Sequence, residues 1–213
     1  VKTSRFGIWI SMFITWVLTG CIVVFILLMP GFVGGVLGFS PFETTYFQMG
    51  GLVCIVSSCW LTGRLADKHN PSTLCILFSA GFAVSSVAFF SLLYTAAPVV
   101  SEVVLAYFAT CFFAGIMNFC PIFMCDVFPA RIRFSGISFA YNIAYALSGA
   151  FTPQLSFALH AYAKTHPDTL GAMGLSAYIV FLALVSIGTA LAMRRVYKNG
   201  GAAVSQMEFR PAP

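Results

Sequence analysis

Six runs of about twenty apolar residues, parted by short polar segments, leave this chain little choice of solvent. The runs cover residues 6–29, 42–61, 73–94, 102–124, a fifth that ends near His160, and 172–193. Each is long enough to cross a bilayer as a helix, which takes about 20 residues at a rise of about 1.5 Å per residue. Charged residues make up 8% of the sequence and hydrophobic ones 60%, where a soluble domain carries roughly a quarter charged. A chain so poor in charge cannot cover a water-facing surface. The expectation is an all-α membrane protein, with residues 1–194 forming a six-helix bundle and 195–213 a cytoplasmic tail. The first run is too long for a secretory leader and lacks a small-residue cleavage site. The glycine-rich segment 30–41 reads as a surface turn.

The lysines and arginines divide unevenly between the two ends of such a bundle. With the N-terminus inside, Lys2, Arg5, Arg64, Lys68, Arg131, Arg133, Arg194, Arg195, Lys198 and Arg210 fall on the cytoplasmic side. Lys164 stands on the other. The positive-inside rule then puts both termini in the cytoplasm. The two polar cytoplasmic loops follow the second and the fourth helix. Two inverted three-helix repeats, a layout common in transporters, would place them so; six helices without a repeat also could.

The seven cysteines sit in or beside apolar runs, with no CxxC spacing and no histidine cluster near them. They read as reduced packing residues, so neither a metal site nor another cofactor is expected. A net charge of +5, dispersed along the chain, gives no footprint for nucleic acid. An enzyme is not expected either, because the histidines (His69, His160, His166) lie in loops or near helix ends, away from any nucleophile or paired acids.

Two polar loops carry a resemblance. Gly63-Arg64-Leu65-Ala66-Asp67-Lys68 resembles the G-x-L-A-D-R/K signature of the major facilitator superfamily. It departs from that pattern at Asn70, where a glycine is usual, and at Pro71 and Ser72, which replace basic residues. Asp126-Val127-Phe128-Pro129-Ala130-Arg131-Ile132-Arg133 is similar to the E-x-F-P-x-R-x-R element before the eleventh helix of the same superfamily. With Ser135-Gly136 and Gly149-Ala150-Phe151-Thr152-Pro153, it looks most like the metabolite:proton symporters, carriers of proline and betaine, citrate, 2-oxoglutarate and shikimate. The resemblance spans nearly the whole chain. It implies half of a major facilitator fold, the C-terminal six helices of a twelve-helix carrier of a bacterial inner membrane. Its partners would be a small organic solute, a proton, the lipid bilayer, and an N-terminal six-helix half or a second copy. A membrane scaffold that transports nothing is the competing reading.

The second loop has a physical reading of its own. Asp126 follows a helix C-terminus and Arg131 and Arg133 precede a helix N-terminus, each on the side the helix dipole disfavours. Pairing of the aspartate with one of the arginines would relieve both, as a latch that holds one conformation. A plain topology signal against anionic lipid heads fits the same residues. For Gly63, Asp67 and Lys68 the resemblance implies a gate contact with the other half; a solvated loop is the alternative.

Within the spans, small residues recur every fourth position at Gly136, Ala140, Ala144, Ser148 and Thr152, which lets another helix approach closely. Tyr141, Asn142 and Tyr145 stand beside that row as candidates to face a substrate path, interhelical hydrogen bonding being the other use for them. Asn118, three residues before Pro121, is a second candidate, because the proline frees a carbonyl and broken helices often line sites. Gln48 and Trp16 are weaker ones. No Asp, Glu, Lys or Arg lies mid-span, so a coupling proton would need its carrier in the other half.

Overall fold

The computed structural model describes residues 2–95, 97–165 and 169–206, with side chains for 5–95, 97–165 and 173–198. Six helical rods follow one another through short connections. α1 covers residues 2–37 and is interrupted by a π-helical turn, Val23–Leu28. α2 is Pro41–Ala66 and α3 is Pro71–Leu93. α4 spans Val100–Val127 with a 3-10 turn, Ala114–Asn118, in its middle. α5 is Ala130–Thr165 and α6 is Thr169–Gln206. No strand occurs among the described residues.

Five of the six rods (α1, α2, α3, α4 and α6) are long and apolar enough to cross a membrane. α5, with 36 residues, has the length but not the apolarity. Its middle carries Tyr141, Asn142, Tyr145, Ser148, Thr152 and Gln154, and these dilute what the sequence led us to count as a sixth apolar span.

Several boundaries differ from the sequence reading. The supposed turn at 30–41 is helical through Leu37, and only Gly38, at φ 68°, takes the left-handed conformation that ends the helix. Pro30 has no N–H for the Ile26 carbonyl four residues before it, and that carbonyl accepts from Gln48 Nε2 instead. α5 runs on past His160 to Thr165, and α6 past Met193 to Gln206, so most of the expected outer loop and tail is helix. Arg210 and residues 207–213 lie outside the described residues.

The turns are fixed by caps. At α2 the Ser40 hydroxyl accepts from the Glu43 N–H while the Ser40 N–H donates to Glu43 Oε2 at 2.8 Å, with Pro41 opening the helix. At α3 the Asn70 side chain accepts from the Ser72 N–H at 2.9 Å and Pro71 follows it. Asn70 and Pro71, which depart from the family pattern, thus have a local job as a helix start.

α3 packs chiefly on α6, α1 on α5, α2 on α4, and further contacts join α3 to α4 and α1 to α6. Ser79 donates to Ser186 across the α3–α6 contact at 2.8 Å. A ring cluster of Phe25, Phe47, Phe82, Phe89, Phe90 and Tyr107 fills the centre. Ala140, Ala144, Ser148 and Thr152 are fully buried on the face of α5 whose main neighbours are α1 and α6, so the small-residue row does admit close helices.

The contacts also define two ends. Gly7, Phe128, Gly136, Asp126 and Tyr197 meet at one, and this end holds Arg64, Lys68, Arg131, Arg133, Arg194 and Arg195. Phe32, Gly35, Tyr94, His160 and Lys164 meet at the other.

Candidate functional site

Pro121 cannot donate to the carbonyl four residues before it, and α4 narrows to its 3-10 turn over that same stretch. Below the turn a groove of about 340 Å³ opens between α1, α4 and α5. Its walls are Leu18, Cys120, Pro121, Met124, Ile137 and Tyr141. Tyr141 stacks on Tyr145 with ring centroids 5.6 Å apart, so the two rings form one continuous edge.

Beside that edge runs a stripe of polar side chains left largely open by the described residues. Ser135, Asn142 and Tyr145 are exposed and Ser138 is half-buried, at helical spacing on one face of α5. The Asn142 Nδ2 donates to the Ser138 carbonyl at 2.8 Å, which satisfies one amide group; its Oδ1 has no partner among the described residues. Gln154, three turns on, is exposed as well. An amide turned outward from a membrane bundle is costly against hydrocarbon and comfortable against water or a polar partner. Of the three α5 candidates, Tyr141 is in the groove wall, Tyr145 stacks on it, and Asn142 is the exposed neighbour of Tyr141 in the chain.

The other path candidates lie elsewhere and bind helix to helix. Asn118 Nδ2 donates to the Cys59 carbonyl and the Thr62 hydroxyl of α2, both at 3.2 Å. Gln48 Nε2 donates to the Ile26 carbonyl at 2.7 Å, and the Tyr107 hydroxyl to the Phe25 carbonyl at 3.0 Å. Both acceptors are in the π turn of α1, where the change of pitch leaves carbonyls short of donors. Trp16 Nε1 donates to the Tyr178 hydroxyl at 3.4 Å, which is 2.7 Å from the Thr152 hydroxyl. None of these polar groups faces the groove. Tyr107 and Tyr178 escaped the sequence reading; the only signal for them was a phenol inside an apolar run that must find a partner.

At the basic end, Asp126 Oδ2 accepts from the Tyr197 hydroxyl of α6 at 2.5 Å. No ion pair joins it to Arg131 among the described residues, and Arg133 Nε donates to the Phe128 carbonyl at 3.1 Å. Where the sequence suggested a pairing of Asp126 with one of the two arginines, the partner described for it is Tyr197, because α6 continues as helix beyond its expected end and delivers Tyr197 there. The loop is anchored by Phe128, whose buried ring lies over Gly7 and Gly136; a Cβ on Gly136 would be 2.7 Å from it. Gly63 lies next to the Asn118 amide. Asp67 and Lys68 are exposed, and their backbone N–H groups close the end of α2 on the Gly63 and Leu65 carbonyls. Arg64 stands 4.1 Å over the Trp60 ring.

No group of three or more His, Cys, Asp or Glu able to hold a metal occurs among the described residues. Comparison with known proteins finds no matching family model, no matching curated protein and no matching solved structure.

Proposed function

We propose that this chain is a six-helix half of a secondary transporter of the major facilitator type, moving a small organic solute by alternating access. The observation that carries the reading is the uncovered stripe of Ser135, Asn142 and Tyr145 beside the groove. In an isolated bundle it would face lipid, whereas between two halves it would line a wet path. The helix pairing adds support. Exchanging α1 with α4, α2 with α5 and α3 with α6 turns the α1–α5 contact into α4–α2 and the α1–α6 contact into α4–α3, and leaves α3–α6 in place. The two helices exchanged first are also the two with a broken middle, π in α1 and 3-10 in α4. Inverted three-helix repeats would have both properties.

In this reading Tyr141 and Tyr145 offer the solute flat apolar faces and hydroxyls, and Asn142 offers an amide that can donate and accept. The basic end with both termini is cytoplasmic, in a bacterial inner membrane. The coupling proton is carried by a group of the partner half, since α1 to α6 place no carboxylate, lysine or arginine mid-span.

Thiol labelling tests the stripe. In membrane vesicles that also hold the partner half, Asn142→Cys should react with an impermeant maleimide well above the parent chain, whose cysteines other than Cys125 are buried or half-buried. A residue 142 thiol that stays silent while Cys125 reacts would place the stripe in lipid and sink the proposal. With a partner half present, Asn142→Leu should lower proton-driven uptake of a small zwitterion or carboxylate by roughly tenfold, the loss expected for one polar contact. An inserted, assembled pair that takes up nothing would favour a scaffold.

A further inference from the structure

We infer that the end of the bundle opposite the basic cluster binds a small oxyanion, a carboxylate or phosphate group, through Lys164 and Tyr94 with His160 behind them. The site is a cleft of about 280 Å³ whose walls include Gly35 of α1, Tyr94, Thr95 and Pro98 after α3, and Ala163 and Lys164 of α5. Lys164 is the one cation of this end among the described residues. No hydrogen bond or ion pair from another described residue meets its ammonium, and no carboxylate is among the described residues of the cleft's walls.

The ammonium is also seated. Lys164 Nζ lies 3.1 Å from the place where a Cβ on Gly35 would stand, so the absence of that carbon gives the head group its bed on α1. A lysine merely snorkelling to the surface needs no such recess.

Behind the ammonium, the Tyr94 hydroxyl is 2.5 Å from His160 Nδ1. The imidazole is clamped by Phe32, stacked on it at 4.1 Å and 13°. In one tautomer Nδ1 accepts from the phenol, which then has only acceptor capacity left for the cleft. In the other, Nδ1–H donates to the phenol oxygen and frees the O–H to donate to a ligand. An oxyanion selects the second arrangement and receives the phenol proton as a hydrogen bond beside the ammonium. A cation or a neutral apolar group gains nothing from either. This site goes beyond the transport reading and stands or falls separately from it.

Acylation of lysines by an N-hydroxysuccinimide ester, read peptide by peptide by mass spectrometry, tests the site on the full chain in a neutral detergent. The probes are sodium acetate, inorganic phosphate and a short-chain phosphatidylglycerol, each against chloride at equal ionic strength. At least one should slow reaction at Lys164 several-fold while Lys68 and Lys198, at the other end, are unchanged. Protection by acetate or phosphate identifies a site for free solutes; protection by the lipid alone identifies a headgroup site. Tyr94→Phe keeps the ring and should weaken the protecting ligand by about tenfold, as loss of one hydrogen bond to a charged group does. His160→Phe, which leaves no donor for the phenol oxygen, should weaken it too. Equal slowing at all three lysines, no slowing with any probe, or full protection in Tyr94→Phe would overturn the assignment.

Discussion

The crossing of α2 and α4 allows a prediction worked from distances. A Cβ built on Gly115 would stand 2.1 Å from Ser58 Oγ, 3.0 Å from Ser58 Cβ and 3.4 Å from the Ser58 carbonyl carbon. The hydroxyl can rotate away. The two carbons cannot, and comfortable carbon contacts begin near 3.5 Å, so α2 must retreat by about half an ångström. Overpacking of this size costs about 1–3 kcal/mol. The retreat also stretches the two Asn118 bonds to Cys59 and Thr62, each worth about 0.6 kcal/mol in a membrane bundle. Against this stands the better helix propensity of alanine, about 1 kcal/mol. Gly115→Ala should therefore destabilise by about 2 kcal/mol, a fall of about 4–8 °C in the detergent melting temperature. Gly149→Ala, with nothing within 4 Å of its Cβ, should be neutral or gain up to about 1 kcal/mol. Adding Ser58→Gly to Gly115→Ala should restore the contact. The reasoning fails if Gly115→Ala melts with the parent, or if Gly149→Ala costs as much, because the crossing would then not be as close as described.

The π turn gives a second test: Gln48→Leu and Tyr107→Phe each remove a donor to a carbonyl of α1 and should each lower the melting temperature by a few degrees, at about 1 kcal/mol apiece. Unchanged melting in both would mean that the turn satisfies its own carbonyls. Tyr197→Phe removes the tie between α6 and Asp126 at an exposed site, so global stability should move by less than about 1 kcal/mol. Limited trypsin cleavage at Arg194, Arg195 and Lys198 should nevertheless quicken by roughly five-fold, and an unaltered cleavage rate would show that the bond does not hold the helix end.

What could be read from the sequence was set by solvent and by local chemistry. Apolar runs of membrane length and the scarcity of charge sufficed for helices in a bilayer, because no other structure there satisfies its own backbone. Ser40-Pro41 with Glu43 and Asn70-Pro71 start helices by chemistry that acts within four residues, a local signal that the reading of these segments as turn and loop passed over. The helix ends were less legible. Glycine and proline at 30–35 suggest a turn in water, yet in an apolar setting the helix is the cheapest way to pair the backbone, and only Gly38 breaks it.

The candidate site divides along the same line. That Tyr141, Asn142 and Tyr145 share a region of α5 follows from helical spacing, as does the burial of the small-residue row from Ala140 to Thr152. Which polar side chains turn inward depends on where another helix happens to be short of a donor. Gln48, Asn118 and Trp16 are drawn to a π turn, a neighbouring helix and a buried phenol, whereas Asn142 finds only its own helix. Asp126 likewise had two arginines near it in sequence, and its partner came from 71 residues away. The sequence alone determined the solvent, the helices and the concentration of positive charge at one end, all of which are sums over local properties. The tertiary structure decided which polar groups are spent holding the bundle together and which remain uncovered, because that depends on how distant helices meet.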